Sequence, residues 1–370
     1  MSSDLPKSIA IAGAWGYIGR KFLNAALDLG VKPYVLDPAP RPPDVDPGGV
    51  HVIGDAEQFY ALDVDLFHLA LHPDMRERPL ATLFERSRSG KGPAILCEKP
   101  MTTPDNPRLC DWIVAQSEAV DASLFFDFPE LFDPIARHVC AFLSNFERVR
   151  FDEIRLNRSK DREDPSNPRN YKVMVPIQYQ ETVHSIAYVL NLLAVGRSGF
   201  GQVCRSVRAE GTSELYCPPN PEAYTGPVDG KFEGMLTLDG TKAQLSTNFK
   251  AGAPWTKRQR IRGVGDGTPF LIEAEFLEGA KYLRINGEAL PIPPETDSYQ
   301  NVIRQLWAWH TEIPANQRAA GLYPNARLAR CTFLLSCMLW ESCAKRIAVE
   351  SVDLESYAAS INLNPATEWD

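Results

Sequence analysis

The segment Gly13-Ala14-Trp15-Gly16-Tyr17-Ile18-Gly19 stands between a short apolar run, 9–12, and an amphipathic stretch, 18–29, that ends at Gly30. Three glycines at a strand-to-helix junction constrain the fold of this chain more than any other feature. They permit a tight turn and a close approach of helix to strand, and Gly30 is a good helix stop. The same alternation continues, with apolar runs at 33–36, 50–53, 66–71 and 93–97 separated by amphipathic stretches, and residues 118–126 supply a sixth run. Such a pattern winds helices around a parallel sheet. Residues 1–125 are therefore expected to form an α/β domain, a doubly wound parallel sheet of the Rossmann type.

Residues 126–370 change character, which predicts a second, α+β domain built on a mostly antiparallel open sheet. Two hairpin signals appear, Asp239-Gly240 and Asn286-Gly287, the latter between runs 282–285 and 289–292. Around the first, Phe232, Leu236 and Leu238 alternate with Glu233 and Thr237, and Ala243, Leu245, Thr247 and Phe249 alternate with Lys242, Gln244, Ser246 and Asn248. One face of that sheet is buried and the other wet. Residues 217–230, rich in Pro and Gly, read as a surface loop, and helical patterns close the chain at 299–313 and 326–347.

Composition excludes several classes. At 370 residues there is room for two full cores. Counting 39 Lys and Arg against 47 Asp and Glu gives a net charge of −8, with no basic run to follow a phosphate backbone, so nucleic acid is not an expected partner. The eight cysteines, at 97, 110, 140, 204, 217, 331, 337 and 343, form no Cys-x-x-Cys pair and no cluster with His, the usage of reduced thiols. His68 and His72, four apart on a strand, are separated by roughly 13 Å, too far for one tetrahedral metal ion, and no metal site is expected. The apolar run 331–340 is well short of the roughly 20 residues a bilayer span needs. Before the first strand lies no signal-peptide stretch, so the expectation is a soluble cytoplasmic protein without membrane contact.

Two elements carry chemistry. At a strand-to-helix turn, glycines let the backbone approach a pyrophosphate, and the helix start offers N–H groups and a positive dipole end; the alternative is a turn that merely packs strand on helix. Asp37, 18 residues after Gly19 at the end of the second run, is placed to accept hydrogen bonds from both hydroxyls of an adenosine ribose, which favours NAD. Arg41 would instead meet a 2′-phosphate and leaves NADP as the second option. Glu98-Lys99-Pro100 ends the fifth run, and strand ends are where ligands sit in such sheets, although an exposed Lys beside a Glu is by itself a common solvated pair.

Together with the His72-Pro73 turn and a helix carrying His184, these residues resemble the Gfo/Idh/MocA oxidoreductase family over nearly the whole chain. The resemblance implies a hydride transfer between nicotinamide and a carbon of a small polyhydroxylated substrate, such as a sugar or cyclitol. It implies cofactor contacts from Gly13, Trp15, Gly16, Tyr17, Ile18, Asp37, His72, Pro73, Glu98 and Lys99, and a homodimer or homotetramer through the second domain's sheet. Lys99 would lie beside the nicotinamide and the substrate, and His184, whose ordinary pKa lies near neutrality, would serve as general acid or base. On the residues alone, His184 reads more readily as a histidine satisfied on an apolar helix with Ile186, Val189, Leu190 and Leu193.

Substrate contacts are expected from Tyr179 and Gln180, directly before His184, and from Glu181, three residues before it on one helical side. Arg155, Asn157 and Ser159 alternate on a strand that either faces the substrate or meets solvent, and Asn157 is the candidate among them. The chain departs from the family pattern at Gln180, where the family carries an aspartate; at Leu131, where members often carry Arg; and in the spacing of the middle glycine. Gln cannot exchange a proton near neutral pH. That departure keeps two other readings open: a cofactor-binding regulator without turnover, and a reductase of an imine or other intermediate.

Overall fold

The computed structural model describes residues 5–88, 92–164, 176–195, 199–216, 228–250, 252–277, 279–292, 297–319 and 321–363. In chain order the first elements are β1 (Ser8–Ala12), α1 (Tyr17–Asp28), β2 (Lys32–Leu36), β3 (His51–Val52), α2 (Ala56–Ala61), β4 (Leu66–Leu69), α3 (Glu77–Arg88), β5 (Ala94–Glu98), α4 (Arg108–Ala119), β6 (Leu124–Asp127) and α5 (Pro129–Phe132). Then come α6 (Pro134–Leu143), β7 (Val149–Ser159), a π-helical turn (Gln178–Thr182), α7 (Val183–Ala194), β8 (Val207–Tyr216), β9 (Val228–Leu238), β10 (Thr241–Asn248), β11 (Thr256–Gly265), β12 (Thr268–Leu277), β13 (Ala280–Ile285) and β14 (Glu288–Leu290). The chain continues with α8 (Ser298–Glu312), α9 (Ala326–Lys345), β15 (Val349–Ser351) and α10 (Leu354–Leu363).

Contacts divide the chain into two units, residues 1–133 with 296–330, and residues 134–295 with 331–370. This differs from the continuous split at 125/126, because 126–133 and the segment carrying α8 belong with the first unit. The reason is packing. Val302, Ile303 and Leu306 of α8 are fully buried in the same core as Ile9, Phe22, Ala26 and Phe125, and Tyr299 meets the edge of Phe22 at 5.2 Å between ring centroids. Trp309 stacks on Phe125 at 6.3 Å. A helix that starts 171 residues after the end of β6 is invisible to local periodicity as a partner of the first sheet, so only the folded chain reveals it.

In the first unit six parallel strands stand in the order β3-β2-β1-β4-β5-β6. This is the doubly wound order, whose direction reverses between β1 and β4, and the carboxyl ends of those strands are where such sheets place ligands. Strands β1, β4, β5 and β6 are almost wholly buried, as expected of a parallel sheet covered on both faces. The sixth strand is shorter than the expected 118–126, since 118 and 119 complete α4.

The second unit has a nine-stranded sheet, β14-β13-β12-β11-β7-β10-β9-β8-β15, antiparallel except where β10 runs parallel to β7. The two expected hairpin turns are present, with positive φ at Asp239 (51°) and Gly240 (83°) and at Asn286 (54°) and Gly287 (84°), the primed-turn geometry. A third turn of the same kind, Asp266-Gly267 between β11 and β12, carries the same signal. Of the expected loop 217–230, residues 217–227 lie outside the described residues and 228–230 open β9. Ile154, Leu156, Leu236, Leu245, Ile261 and Ile272 fill the sheet's buried face. Among the described residues no cysteine is disulfide-bonded, no three His, Cys, Asp or Glu could hold a metal ion, and no helix is long and apolar enough to cross a membrane.

Candidate functional site

The first cluster lies at the carboxyl ends of the parallel strands. Gly13 has φ +78°, and a Cβ there would sit 2.5 Å from the Ala70 carbonyl oxygen, so the turn from β1 accepts no side chain. At Gly19 a Cβ would approach the Gly13 carbonyl oxygen to 2.1 Å, which shows how closely α1 rides on the turn. Gly16 caps α1 without a side-chain hydrogen bond, and its own position is open, with the nearest atom 3.4 Å from a built Cβ. The helix start is therefore bare backbone that can face an anion. Tyr17 and Ile18, its first two residues, are half-buried.

Asp37 follows β2 directly. Its two carboxylate oxygens accept the Trp15 and Ala39 backbone N–H groups, both at 2.9 Å, which fixes the carboxylate beside the glycine turn. Next to it runs a groove of about 1040 Å³ lined by Gly13, Leu36, Pro38, Tyr60, Leu71 and Met75, among others. A cradle without side chains, an ordered carboxylate at the end of β2 and an adjoining apolar groove together fit a dinucleotide's pyrophosphate, ribose and base. His72 is 60% exposed and pairs with Asp74 at 3.0 Å, whereas Pro73 is buried.

Beyond the groove, β5 ends in the buried Glu98 and the half-buried Lys99. Three further side chains support this end. Arg76, only 1% exposed, donates to the Leu71 carbonyl oxygen at 3.0 and 2.8 Å, to the Pro100 carbonyl oxygen at 2.6 Å and to that of Glu98. Its guanidinium thus ties the backbone on both sides of Lys99 to the turn after β4. His68 Nε2 lies 3.0 Å from Glu98 Oε1, and Asp127 faces Glu98 in register on β6. Burial pushes the Glu98 carboxyl up, but the His68 hydrogen bond and the His68, Arg76 and Lys99 charges outweigh it and hold it below the usual range. Asp127 moves the other way, raised well above the usual range by burial and by the neighbouring Glu98 and Glu130. Because an ionised Glu98 only accepts, Nε2 of His68 carries the hydrogen. His68, Arg76 and Asp127 were not singled out for function from the sequence. The one signal for Asp127 was an acid closing an apolar run, as Glu98 does.

The second cluster belongs to the second unit. Gln178–Thr182 forms a π-helical turn that runs into α7, and His184, 7% exposed, is the second residue of α7. A π turn is wider than an α turn and often marks a functional position, and it rotates the residues before α7 away from regular helical spacing. Glu181 accordingly turns toward β7, where its carboxylate accepts from Arg158 at 2.5 Å and Lys160 at 2.6 Å, all three largely buried. Thr182 shares a hydroxyl hydrogen bond of 2.9 Å with Thr247 of β10.

Two expected substrate residues have surroundings of their own. Tyr179 is 1% exposed, its ring 5.8 Å from that of Phe333 and its hydroxyl at Cys337, so it is a core residue of the second unit. Asn157 is exposed on the face of β7 opposite Arg158, since alternate residues of a strand face opposite ways, and Glu181 meets the Arg158 face. Glu181 is taken up by its two cations, and Gln180 is half-buried with its N–H on the Pro176 carbonyl oxygen at 3.1 Å. Lys99 and His184 stand in different units.

No protein-family model and no curated protein matches the chain. Solved structures do. A UDP-N-acetylglucosamine 3-dehydrogenase from Acidithiobacillus ferrooxidans is similar at TM-score 0.66 and 13% identity, over 92% of this chain and 98% of that one. A myo-inositol dehydrogenase from Corynebacterium glutamicum is similar at TM-score 0.63 and 15% identity, over 94% and 99%. An NAD-binding protein from Listeria innocua is similar at TM-score 0.60 and 15% identity, over 93% and 97%. At these identities the likeness shows the fold. The chain thus has the fold that the resemblance to Gfo/Idh/MocA oxidoreductases implies, a doubly wound parallel sheet followed by a large mixed sheet.

Proposed function

We propose that this chain is an NAD(P)-dependent oxidoreductase that transfers a hydride between nicotinamide and a CH–OH carbon of a small polyhydroxylated substrate, a sugar, cyclitol or derivative. The observation that carries the reading is the bare glycine cradle with Asp37 bonded beside it, at the strand ends where Lys99 also sits. The fold shared with two dehydrogenases and an NAD-binding protein supports it.

Gly13, Gly16 and the N–H groups that open α1 would hold the pyrophosphate, and Asp37 the adenosine ribose; a carboxylate there favours NAD over NADP. When bound, the nicotinamide accepts or supplies the hydride, and the protein must move the proton and fix the geometry. Lys99 donates a hydrogen bond to the reacting oxygen and is held in place by Arg76 on the flanking carbonyls. His184 takes or gives the alcohol proton, a role worth about 10²- to 10⁴-fold in rate. Gln180 holds a substrate hydroxyl without exchanging a proton. With Glu181 bonded to Arg158 and Lys160, the charge that an aspartate at 180 would bring is not restored by its neighbour. Association of copies through the second unit's sheet belongs to the same reading, and light scattering would check it.

The test mixes the purified protein with NAD or NADP and a panel of polyols and keto-sugars, following the near-UV absorbance of reduced nicotinamide. Turnover of a polyol or keto-sugar is the expected result. Dinucleotide binding with no turnover across the panel would favour a cofactor-binding regulator instead.

A further inference from the structure

Next to Lys99 in the chain and across the strand pair stand two acids that take no part in moving the proton of the proposed hydride transfer. Glu98 and Asp127 are opposite one another in register at the ends of adjacent parallel strands, 9% and 3% exposed. Residues paired in register on adjacent parallel strands send their side chains to the same face, so the two buried carboxyls are neighbours. Two like charges held side by side away from water are costly, which favours one bound proton. We infer that Asp127 is a positioning residue for Lys99: it and Glu98 hold one proton between them, and the buried pair presents a single negative charge to the Lys99 ammonium. This rests on the reading of Lys99 given above.

The surroundings decide where the proton sits. Glu98 accepts from His68 of β4 and lies near the Arg76 guanidinium and Lys99, all of which favour its ionised form. Asp127 faces Glu98 and has Glu130 of α5 nearby, which favour its acid form, while Lys99 opposes them. Its Oδ1 is buried with no hydrogen-bond partner among the described residues, a position tolerable for a neutral acid and costly for an anion. The proton therefore belongs to Asp127, which donates to Glu98. Two ionised acids would hold the Lys99 proton tightly. With one anion offset by nearby Arg76, the ammonium can lend its N–H to the reacting oxygen as a strong hydrogen bond while His184 moves the proton.

Two readouts on the full chain test this. Infrared spectra at neutral pH of protein labelled with carboxyl-¹³C aspartate should show an isotope-shifted band of a protonated acid, absent from Asp127→Asn. Glutamate labelling should leave that band unmoved. Second, ¹³Cε-lysine NMR, with the Lys99 signal assigned by Lys99→Arg, should show Lys99 titrating within a few tenths of a unit of wild type in Asp127→Asn, whose amide keeps the donated hydrogen bond and the single charge. In the double variant Glu98→Gln/Asp127→Asn its titration should fall by about one unit or more. No protonated aspartate, or a fall in Asp127→Asn as large as the further fall in the double variant, would overturn the shared proton. Should Asp127→Asn not fold, the labelled wild-type spectra still decide it. A wild-type turnover rate in Lys99→Ala would instead overturn the reading of Lys99, with the shared proton intact.

Discussion

Arg158 Nη2 lies 2.5 Å from Glu181 Oε1, and both side chains are buried. Lys160 reaches the other oxygen of the same carboxylate. Removing the acid from such a group leaves two cations that lose their common anion, at a cost of about 3–5 kcal/mol. Glu181→Leu should lower the unfolding free energy by about that much in denaturant titration. Lys160→Met, which keeps the Arg158 pair, should cost less, and equal losses would mean that the carboxylate is not what holds β7 to the π turn.

What the sequence allowed and what it hid divide along the range of the interactions. The glycine turn and Asp37 were readable because cradle, helix start and acid lie within 25 residues and obey strand and helix periods. Whether the face of Arg155, Asn157 and Ser159 meets a substrate or solvent was not, because strand alternation names two faces without saying which one a helix covers. Tyr179 looked like a substrate contact by adjacency to His184, yet the π turn breaks the spacing on which adjacency was judged. Nor does any local signal say that α8 returns to the first unit, or that Arg76 clamps carbonyls 22 and 24 residues away.

Asp37 accepts two backbone N–H groups and, in the proposed function, holds the adenosine ribose. Asp37→Ala should therefore weaken NAD at least tenfold, about 1.4 kcal/mol, and NADP much less. Calorimetric titration with both dinucleotides checks it, and equal losses would remove the ribose assignment.

Gly19→Ala places a methyl group 2.1 Å from the Gly13 carbonyl oxygen and 2.8 Å from Ala14 Cα, both backbone atoms that cannot step aside alone. The expected cost is about 1–3 kcal/mol, as for overpacking elsewhere, together with weaker dinucleotide binding as the turn is displaced. Gly30→Ala, where a Cβ meets nothing within 4 Å but φ is +71°, should destabilise through backbone strain and leave binding alone.

His310 of α8 accepts from or donates to Ser123 at 2.8 Å and stacks on Trp307. Burial, then the Arg318 charge, pushes its pKa down to about 4, against a partial pull from Asp65. A folded value below the unfolded one means that the unfolded chain binds the extra proton between about pH 6.5 and 4. Stability from this group is complete above that window and is lost as pH falls through it, by roughly 3 kcal/mol. Melting temperature against pH should show this acid-side loss in wild type, reduced in His310→Gln; an unchanged profile in the variant would contradict the assignment.

The proposed hydride transfer is tested most directly by the turnover number of Lys99→Ala, His184→Ala and the double variant with the best polyol of the panel. The account predicts that each single change lowers kcat by about 10²- to 10⁴-fold, with dinucleotide affinity nearly unchanged in His184→Ala, and that the double variant is far less impaired than the product of the two. Wild-type turnover in His184→Ala, or losses that simply multiply, would contradict it.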